Sequence, residues 1–341
     1  MSTLEESLKK TLIQLLKLSL AAGLIYWLIH TEKITAEPFM MLLATPWLIP
    51  FIFVITFLSI LINNYRWLLL LQGQGIETTM GQTLPLSFIG LFFNLAMPGS
   101  VGGDVMKAYY IAQDQPGTKL RAATSVLMDR VVGMYAMGLI AVVAVLCNWS
   151  AIMSAPNLSA LALFIFAMAI GFTLFFMLGF SNRIRGHKLT HKFLQSIPAG
   201  QLVERVYDAV HDFRNGKRQF AWGIVLSILV QSINIVCFYV ISVTLHFNVS
   251  LVSFFFIVPL GLIAIAVPIS PAGIGVGQAV FLALFTWYQG TSNNLGPTLI
   301  TISQVAQAVL GLIGAVFYFL RRTPSSSEEA GLVDFTKSTG S

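Results

Sequence analysis

The chain has 341 residues, of which 56% are hydrophobic and only 10% are charged, and its formal net charge is +6. Soluble domains carry about 25% charged residues, so this composition excludes an ordinary soluble enzyme or binding module. The positive charge does not indicate nucleic acid binding, because the basic residues lie in loops beside long apolar segments.

Long uncharged segments follow one another along the chain. No Asp, Glu, Lys or Arg occurs in residues 38–65, 78–103, 131–182 or 219–320. A helix needs about 20 apolar residues to cross a bilayer core. These stretches therefore predict a series of membrane spans. The predicted apolar segments are about 11–29, 40–71, 83–112, 121–147, 159–180, 220–246, 252–289 and 297–320.

Two of these segments contain breaks rich in proline and glycine. Segment 83–112 is interrupted by MPGSVGGD at 97–104, and segment 252–289 by PISPAGIGVG at 268–277. Proline lacks a backbone donor and glycine tolerates non-helical backbone, so both breaks predict unwound chain. Unwound backbone at membrane depth is tolerated only where it is buried in protein or lines a wet cavity.

The distribution of basic residues predicts how the chain is oriented. Loop 181–219 carries an excess of Lys and Arg, and basic residues also flank both ends of the membrane region, which puts all three on the cytoplasmic side. This assignment leaves an odd number of crossings before the basic loop at Lys119 unless segment 83–112 enters the membrane and returns. The same reasoning makes segment 252–289 a hairpin that enters from the outer side.

The sequence therefore predicts an all-α polytopic membrane protein with six full transmembrane helices and two re-entrant, Pro/Gly-broken hairpins in an inverted repeat. A single membrane domain is expected over 1–322, with inverted halves at about 10–147 and 159–320. The cytoplasmic loop 181–219 is expected to hold an amphipathic helix that lies on the membrane or docks on the bundle. A disordered polar tail is expected over 323–341. The alternative is eight to ten ordinary helices, two of them kinked.

Charged residues inside the predicted spans are costly and usually functional. Asp129 and Arg130 lie about 12 Å into the helix that starts near Arg121. In a functional interpretation Arg130 binds an anionic phosphate, while Asp129 orients an arginine or carries a proton. In a structural one an interhelical ion pair forms with Arg66 or Lys107, in which Asp129 supplies the carboxylate.

The first break brings further charged residues to membrane depth. Asp104 is expected to cap a helix that starts after Gly102 and Gly103. The unpaired N–H groups at such a helix start suit a phosphate, and Lys107 would add a positive charge one turn later. Arg66 either binds a headgroup or extends to the lipid surface.

In the last third of the chain, Gln278, Gln304 and Gln307 either join helices or contact a ligand. No catalytic residue, metal or cofactor is predicted, because the chain has no phosphate-cradling GxxxxGK[ST] motif and its histidines do not cluster. The candidate substrate-binding residues are Arg66, Asn94, Ser100, Gly102, Gly103, Asp104, Lys107, Asp129, Arg130, Ser270, Gly273, Gln278 and Gln304.

Three motifs in the order MPGSVGGDVMK (97–107), DRVVG (129–133) and PISPAGIGVGQ (268–278) resemble the lysylphosphatidylglycerol synthase transmembrane, or flippase-like, family. Its members are similar to the flippase half of bacterial multiple peptide resistance proteins. The resemblance implies movement of a lipid, often phosphate-bearing, between leaflets of the bacterial inner membrane. This chain has Lys107 where the family commonly has arginine, which weakens a bidentate phosphate grip. It has Gln278 where the family commonly has glutamate, which argues against proton coupling there.

We therefore expect an inner-membrane flippase for a phospho- or polyprenyl-linked lipid, with both termini cytoplasmic and no enzymatic activity. Without the aminoacyl-transferase domain of the fused family members, lysyl-lipid synthesis is not expected. One alternative is a non-transporting subunit that assists a glycolipid- or phospholipid-modifying enzyme. Another is an intramembrane transferase with Asp104 or Asp129 as base. Membrane lipids are the expected partners and nucleic acid is not, while a second copy of the chain or a lipid-modifying enzyme stays open.

Overall fold

A computed structural model of the protein describes residues 37–96, 102–180, 213, 216–266, 273–290 and 294–321. Within these ranges all regular secondary structure is helical. The predicted first span at 11–29, nearly all of the predicted amphipathic segment and the polar tail lie outside the described residues.

Eleven helices make up the described part of the chain. Five of them, α2, α5, α7, α8 and α11, are long and apolar enough to cross a membrane, which agrees with the predicted polytopic all-α class. The helices are α1 Glu37–Ala44, α2 Leu48–Gly73, α3 Met80–Ala96, α4 Gly102–Asp114, α5 Lys119–Cys147, α6 Trp149–Met153, α7 Pro156–Gly179, α8 Lys217–Thr244, α9 Leu251–Ala266, α10 Val276–Gln289 and α11 Leu295–Leu320.

The prediction of a single span over the apolar segment 40–71 is wrong at its start, because the chain forms two helices there rather than one. Helix α1 ends at Ala44 and α2 begins at Leu48, with Pro46 in the turn between them. Proline disfavours helical backbone in the residue before it and cannot donate a helical hydrogen bond, so the chain breaks here. The transmembrane helix is therefore Leu48–Gly73.

Both predicted breaks separate pairs of short helices. Helices α3 and α4 have 17 and 13 residues, and α9 and α10 have 16 and 14. At 1.5 Å per residue these helices are about 20–25 Å long, shorter than a bilayer core of about 30 Å. The two helices of each pair pack against each other, so each pair is a helical hairpin. The side from which each hairpin enters the membrane stays a prediction.

The packing of the helices repeats between the two halves of the chain. Helix α3 packs on α11 as α9 packs on α5, α4 packs on α5 as α10 packs on α11, and α2 packs on α3 as α8 packs on α9. Helices α2 and α8 pack directly on each other between the halves. This exchange of partners is the pattern expected of an internal repeat, with the two hairpins in equivalent positions.

Glycines allow α3 to approach its neighbours backbone to backbone. A Cβ atom on Gly103 of α4 would lie inside contact distance of the Gly90 carbonyl, and one on Gly314 of α11 would collide with the Phe88 carbonyl. Small residues permit close packing of helices in membranes, where hydrophobic association between helices is weak. Helix α3 is therefore held closely on two sides.

Large apolar side chains cover much of the outer surface. On α7, Leu163 and Met177 are exposed, whereas Ala162 and Ile165 are buried. A soluble protein rarely exposes contiguous apolar surface of this extent, whereas lipid tails are a suitable environment for it. The surface therefore agrees with a multi-pass membrane protein.

From the cytoplasmic loop predicted at 181–219, residue 213 and residues 216–219 are described. Phe213 is fully buried in an apolar cluster with Leu70, Val132, Phe176 and Phe220, which come from α2, α5, α7 and α8. This end of the loop therefore docks on the helix bundle.

Candidate functional site

A cavity of about 400 Å³, here called the charged cavity, lies between the two hairpins. Helix α3 contributes Leu91 and Asn94 to its wall, and α9 contributes Leu262 and Ile265. Helices α2, α5, α8 and α11 complete the lining. A cavity between interrupted helices of two repeated halves is the usual binding region of membrane transporters.

A buried ion pair joins two of the long helices beside this cavity. The Arg66 Nε donates to Asp129 Oδ1 at 2.7 Å, and the Arg66 Nη1 donates to Ser227 Oγ at 2.9 Å. The Arg66 side chain is only 8% exposed, so it does not extend to the lipid surface as one alternative expected. Gly133, one turn after Asp129, leaves room for the guanidinium. The interhelical ion pair predicted for Asp129 is confirmed.

A second ion pair joins the first hairpin to α5. Arg130 donates to Asp104, and both side chains are partly buried. The expectation that Asp104 caps its helix is wrong, because α4 begins at Gly102 and Asp104 therefore lies in its first turn. The sequence analysis named no acidic partner for Arg130, and the structure shows Asp104 as one. Arg130 lies in the wall of the charged cavity. Its partner Asp104 belongs to α4 of the first hairpin.

Lys107 lies in a smaller chamber that adjoins the charged cavity. Its Nζ is 5.0 Å from the centroid of the Trp67 ring, which is a cation–π distance. Among the described residues, no carboxylate lies within ion-pair distance of it. Three cations and two carboxylates, here called the cluster, lie in this region: Arg66, Arg130, Lys107, Asp104 and Asp129. Both carboxylates are paired with arginines. Lys107 supplies the remaining positive charge.

The second half contributes uncharged hydrogen-bonding groups. The Gln278 Nε2 donates to Gln304 Oε1 at 2.8 Å and to Thr301 Oγ1 at 3.1 Å, and the Gly275 N–H donates to Gln278 Oε1 at 2.7 Å. Gln278 therefore fixes the start of α10 and ties the second hairpin to α11. Gln304 lines the charged cavity, and Gln307 lines both this cavity and the smaller chamber that contains Lys107.

Gln231 of α8 is a buried amide in the wall of the charged cavity. Its side chain carbonyl Oε1 has no hydrogen-bond partner among the described residues, although the residue is only 9% exposed. A buried acceptor without a partner destabilises the fold, so such groups in native proteins call for an explanation. The residue lies in the cavity wall, so its side chain is beside any molecule that binds there.

The glycines and small polar residues predicted at the breaks lie beside these groups. The Gly103 N–H donates to Asn94 Oδ1 at 2.9 Å, so Asn94 ties α3 to the buried start of α4 at Gly102. Gly273 has a φ of 70°, which favours glycine, and precedes α10. The predicted binding residues Ser100 and Ser270 lie outside the described residues.

Four polar residues near the charged cavity were absent from the predicted site. Asn63, Gln231 and Asn234 line it, and Ser227 holds Arg66. Gln231 and Asn234 are three residues apart, and so are Asn63 and Arg66, so each pair shares one helix face. Long polar side chains inside apolar spans, spaced by one helical turn, were the sequence signal that could have identified them.

Comparison with known families agrees with this architecture. A family model described as "Lysylphosphatidylglycerol synthase TM region" matches residues 14–315. The chain belongs to this family. Two proteins of Methanothermobacter thermautotrophicus, both named "UPF0104 membrane protein", are similar to it. One is 21% identical over 296 residues, covering 80% of this chain and 84% of the relative. The other is 22% identical over 257 residues, covering 70% and 75%. No solved structure gives a significant match.

Proposed function

We propose that the chain is an inner-membrane lipid transporter that moves a phosphate-bearing lipid, phospho- or polyprenyl-linked, between leaflets. The observation that carries this proposal is a cavity of about 400 Å³ that contains charged side chains and lies between two helical hairpins. Charges inside a membrane domain face polar cavities and mark the paths of substrates. The net positive charge of the cluster suits an anionic headgroup.

We propose that no covalent reaction takes place in this membrane region. Asp104 and Asp129 are the carboxylates in the described part of the cluster, and each already accepts from an arginine. Engagement in these ion pairs makes either residue a poor general base. The basic residues of loop 181–219 and of the regions flanking the membrane domain support cytoplasmic termini.

Transport is tested with the purified chain in liposomes that contain fluorescent phosphatidylglycerol in both leaflets. A membrane-impermeant reductant bleaches the outer leaflet, and transport is the additional loss of signal as inner lipids reach it. Wild-type protein is expected to raise this loss well above that of empty liposomes. Arg130→Ala is expected to lower transport at least tenfold, because it removes a cavity cation and leaves Asp104 unpaired.

Arg321→Ala is the matched control, because Arg321 also forms an interhelical ion pair but lies outside the charged cavity. It is expected to transport at the wild-type rate. Equal rates for wild type, Arg130→Ala and empty liposomes would overturn the transport proposal. Such a result would favour a non-transporting subunit of a lipid-modifying enzyme.

A further inference from the structure

Three spaces of different polarity follow one another through the bundle. The charged cavity shares Asn63, Asn234 and Gln307 with a space of about 180 Å³, here called the lysine chamber because Lys107 lines it. The lysine chamber in turn shares Ile52 and Ile302 with a space of about 200 Å³ between α1, α2 and α11. This third space is here called the apolar groove.

The lysine chamber combines the Lys107 ammonium, which has no carboxylate within ion-pair distance in the described structure, with neutral hydrogen-bonding groups. Hydroxyl and amide side chains around it include Ser59, Asn64, Ser87 and Ser303. Lys107 reaches the chamber because Gly90 has no side chain, since a Cβ there would lie 2.9 Å from the Lys107 Cε. Cations and hydroxyl or amide donors are the groups that bind phosphate oxygens.

The arginines of the cluster are less suited to hold an anion than this lysine. Arg66 and Arg130 each form an ion pair with an aspartate, and an anion that bound them would compete with a carboxylate already in place. Lys107 has an aromatic ring beside its ammonium and, in the described part of the chain, no carboxylate within ion-pair distance. An added phosphate would therefore balance the excess charge of the cluster.

The apolar groove has no polar side chain in its wall. Its lining residues are Leu42, Leu43, Ile49, Ile52, Phe53, Ile302, Val305 and Ala306. A small anion such as free phosphate gains nothing from this surface, whereas a hydrocarbon chain does, because every buried methylene adds about fourfold to affinity. The groove and the lysine chamber adjoin, since Ile52 and Ile302 line both, so the two spaces are placed to take the head and the chain of one amphipathic molecule.

We propose that the lysine chamber and the apolar groove form a binding site for one phosphate-bearing lipid. Lys107 holds the phosphate, and the groove between α1, α2 and α11 holds the first part of one hydrocarbon chain. This inference rests on the proposed lipid transport and assigns it a site, in which Lys107, rather than Arg66 or Arg130, provides the anion contact.

Binding of monoalkyl phosphates to the purified full chain in detergent tests the site. Hexyl, octyl and decyl phosphate are compared with glycerol 3-phosphate, which has a phosphate and no chain, and with octyl glucoside, which has a chain and no phosphate. Affinity for the alkyl phosphates is expected to rise with chain length. Octyl phosphate is expected to bind at least tenfold more tightly than either single-feature probe.

Two pairs of variants separate the phosphate contact from the chain contact. Lys107→Gln is expected to weaken the binding of every alkyl phosphate at least tenfold. Lys119→Gln, at the exposed start of α5, is the matched control and is expected to leave binding intact. Lys107→Arg keeps the positive charge and is also expected to leave binding intact. Val305→Trp fills the groove and is expected to abolish the dependence on chain length. Val309→Trp, one turn later on α11 and exposed, is expected to leave it unchanged.

Equal binding by Lys107→Gln and Lys119→Gln, or an unchanged chain-length series in Val305→Trp, would overturn the site. Glycerol 3-phosphate binding as tightly as octyl phosphate would show a site for a free anion and would also overturn it. The wild-type chain-length series gives this answer even where a variant does not fold. Binding as expected without lipid movement in liposomes would instead leave the site intact and reject transport.

Discussion

The two halves of the bundle occupy equivalent positions but contribute different chemistry to the region of the charged cavity and the lysine chamber. The first half supplies three cations and two carboxylates from α2, α4 and α5. The second half supplies amides and hydroxyls, since residues 219–320 contain no Asp, Glu, Lys or Arg. Repetition of the fold therefore does not imply repetition of the binding chemistry. The charged groups lie in the first half, and the neutral hydrogen-bonding groups lie in the second.

The largest effect is expected from breaking the buried ion pair of the first half. Asp129→Asn leaves the Arg66 guanidinium without a carboxylate and is expected to lower the free energy of unfolding by about 3 kcal/mol. Thr301→Val removes one neutral hydrogen bond in the second half and is expected to cost about 1 kcal/mol. Denaturant titration of the variants in mixed micelles measures both losses.

The double variant Arg66→Met with Asp129→Leu is the control for this comparison, because it removes both charges together. It is expected to recover most of the stability that Asp129→Asn loses. If Asp129→Asn proved no more costly than Thr301→Val, the difference between a charged and a neutral half would have no energetic basis.

The second-largest effect is expected at the glycines through which the two helices of each hairpin contact each other, and it differs between the hairpins. Gly103→Ala forces the Gly90 carbonyl to move and is expected to cost about 2 kcal/mol, because backbone gives way less easily than a side chain. Gly277→Ala brings its Cβ 3.0 Å from the end of the flexible Ile265 side chain and is expected to cost about 0.5 kcal/mol. Both losses are measured by thermal unfolding, with the remaining fraction of monodisperse protein as the signal. Similar losses would contradict the difference.

A smaller effect, of opposite sign, is expected at the neutral wall of the cavity. Gln231→Leu removes an acceptor that has no partner among the described residues and is expected to raise the free energy of unfolding by about 1 kcal/mol. It is also expected to slow lipid transport, because the cavity loses a hydrogen-bonding group.

Gln74→Leu is the matched control for that substitution. Gln74 also has a buried Oε1 without a partner in the described structure, but it lines none of the three spaces, and its Nε2 donates to Thr124. Its replacement is expected to change stability by roughly zero and to leave transport unchanged. A transport loss as large as that of Gln231→Leu would remove Gln231 from the functional site.

The smallest effect is expected where the halves meet away from the cavity. Arg321 donates to Asp114 at 2.5 Å, but the two side chains are 30% and 41% exposed. Asp114→Asn is expected to cost less than about 0.5 kcal/mol, because exposed ion pairs are weak and Arg321 keeps its contact with the Tyr110 ring. The loss is expected to shrink further when the unfolding titration is repeated at high salt. A cost near that of Asp129→Asn would show that burial does not set the strength of these pairs.

The positions of the helices followed from the sequence because membrane spans are specified by length and hydropathy alone. The helices predicted at 121–147, 159–180 and 297–320 agree with α5, α7 and α11 within a few residues. Both hairpin breaks were predicted from proline and glycine. The split between α1 and α2 was missed, because a single proline in an apolar run does not distinguish a kink from an end.

Partner choice among the charges could not be predicted in full, because it depends on which helix faces come together. The Arg66–Asp129 pair was among the alternatives, since both residues are charges inside spans. The Asp104–Arg130 pair was not, because its geometry depends on where α4 starts and how α4 lies on α5. Gln231 and Asn234 were missed because neutral amides add little to any charge pattern.

The glycine contacts of α3 with α4 and α11 limit how the cavity can change shape. Backbones that touch through Gly103 and Gly314 have no side chains between them that could slide or change rotamer. We therefore expect the three helices to move together, with α4 carrying Asp104 and Lys107. In any cycle that opens the cavity to one leaflet and then the other, the ion pair between Asp104 and Arg130 crosses the border of that moving unit. If the chain moves lipid as proposed, this ion pair is expected to break and re-form once in each cycle.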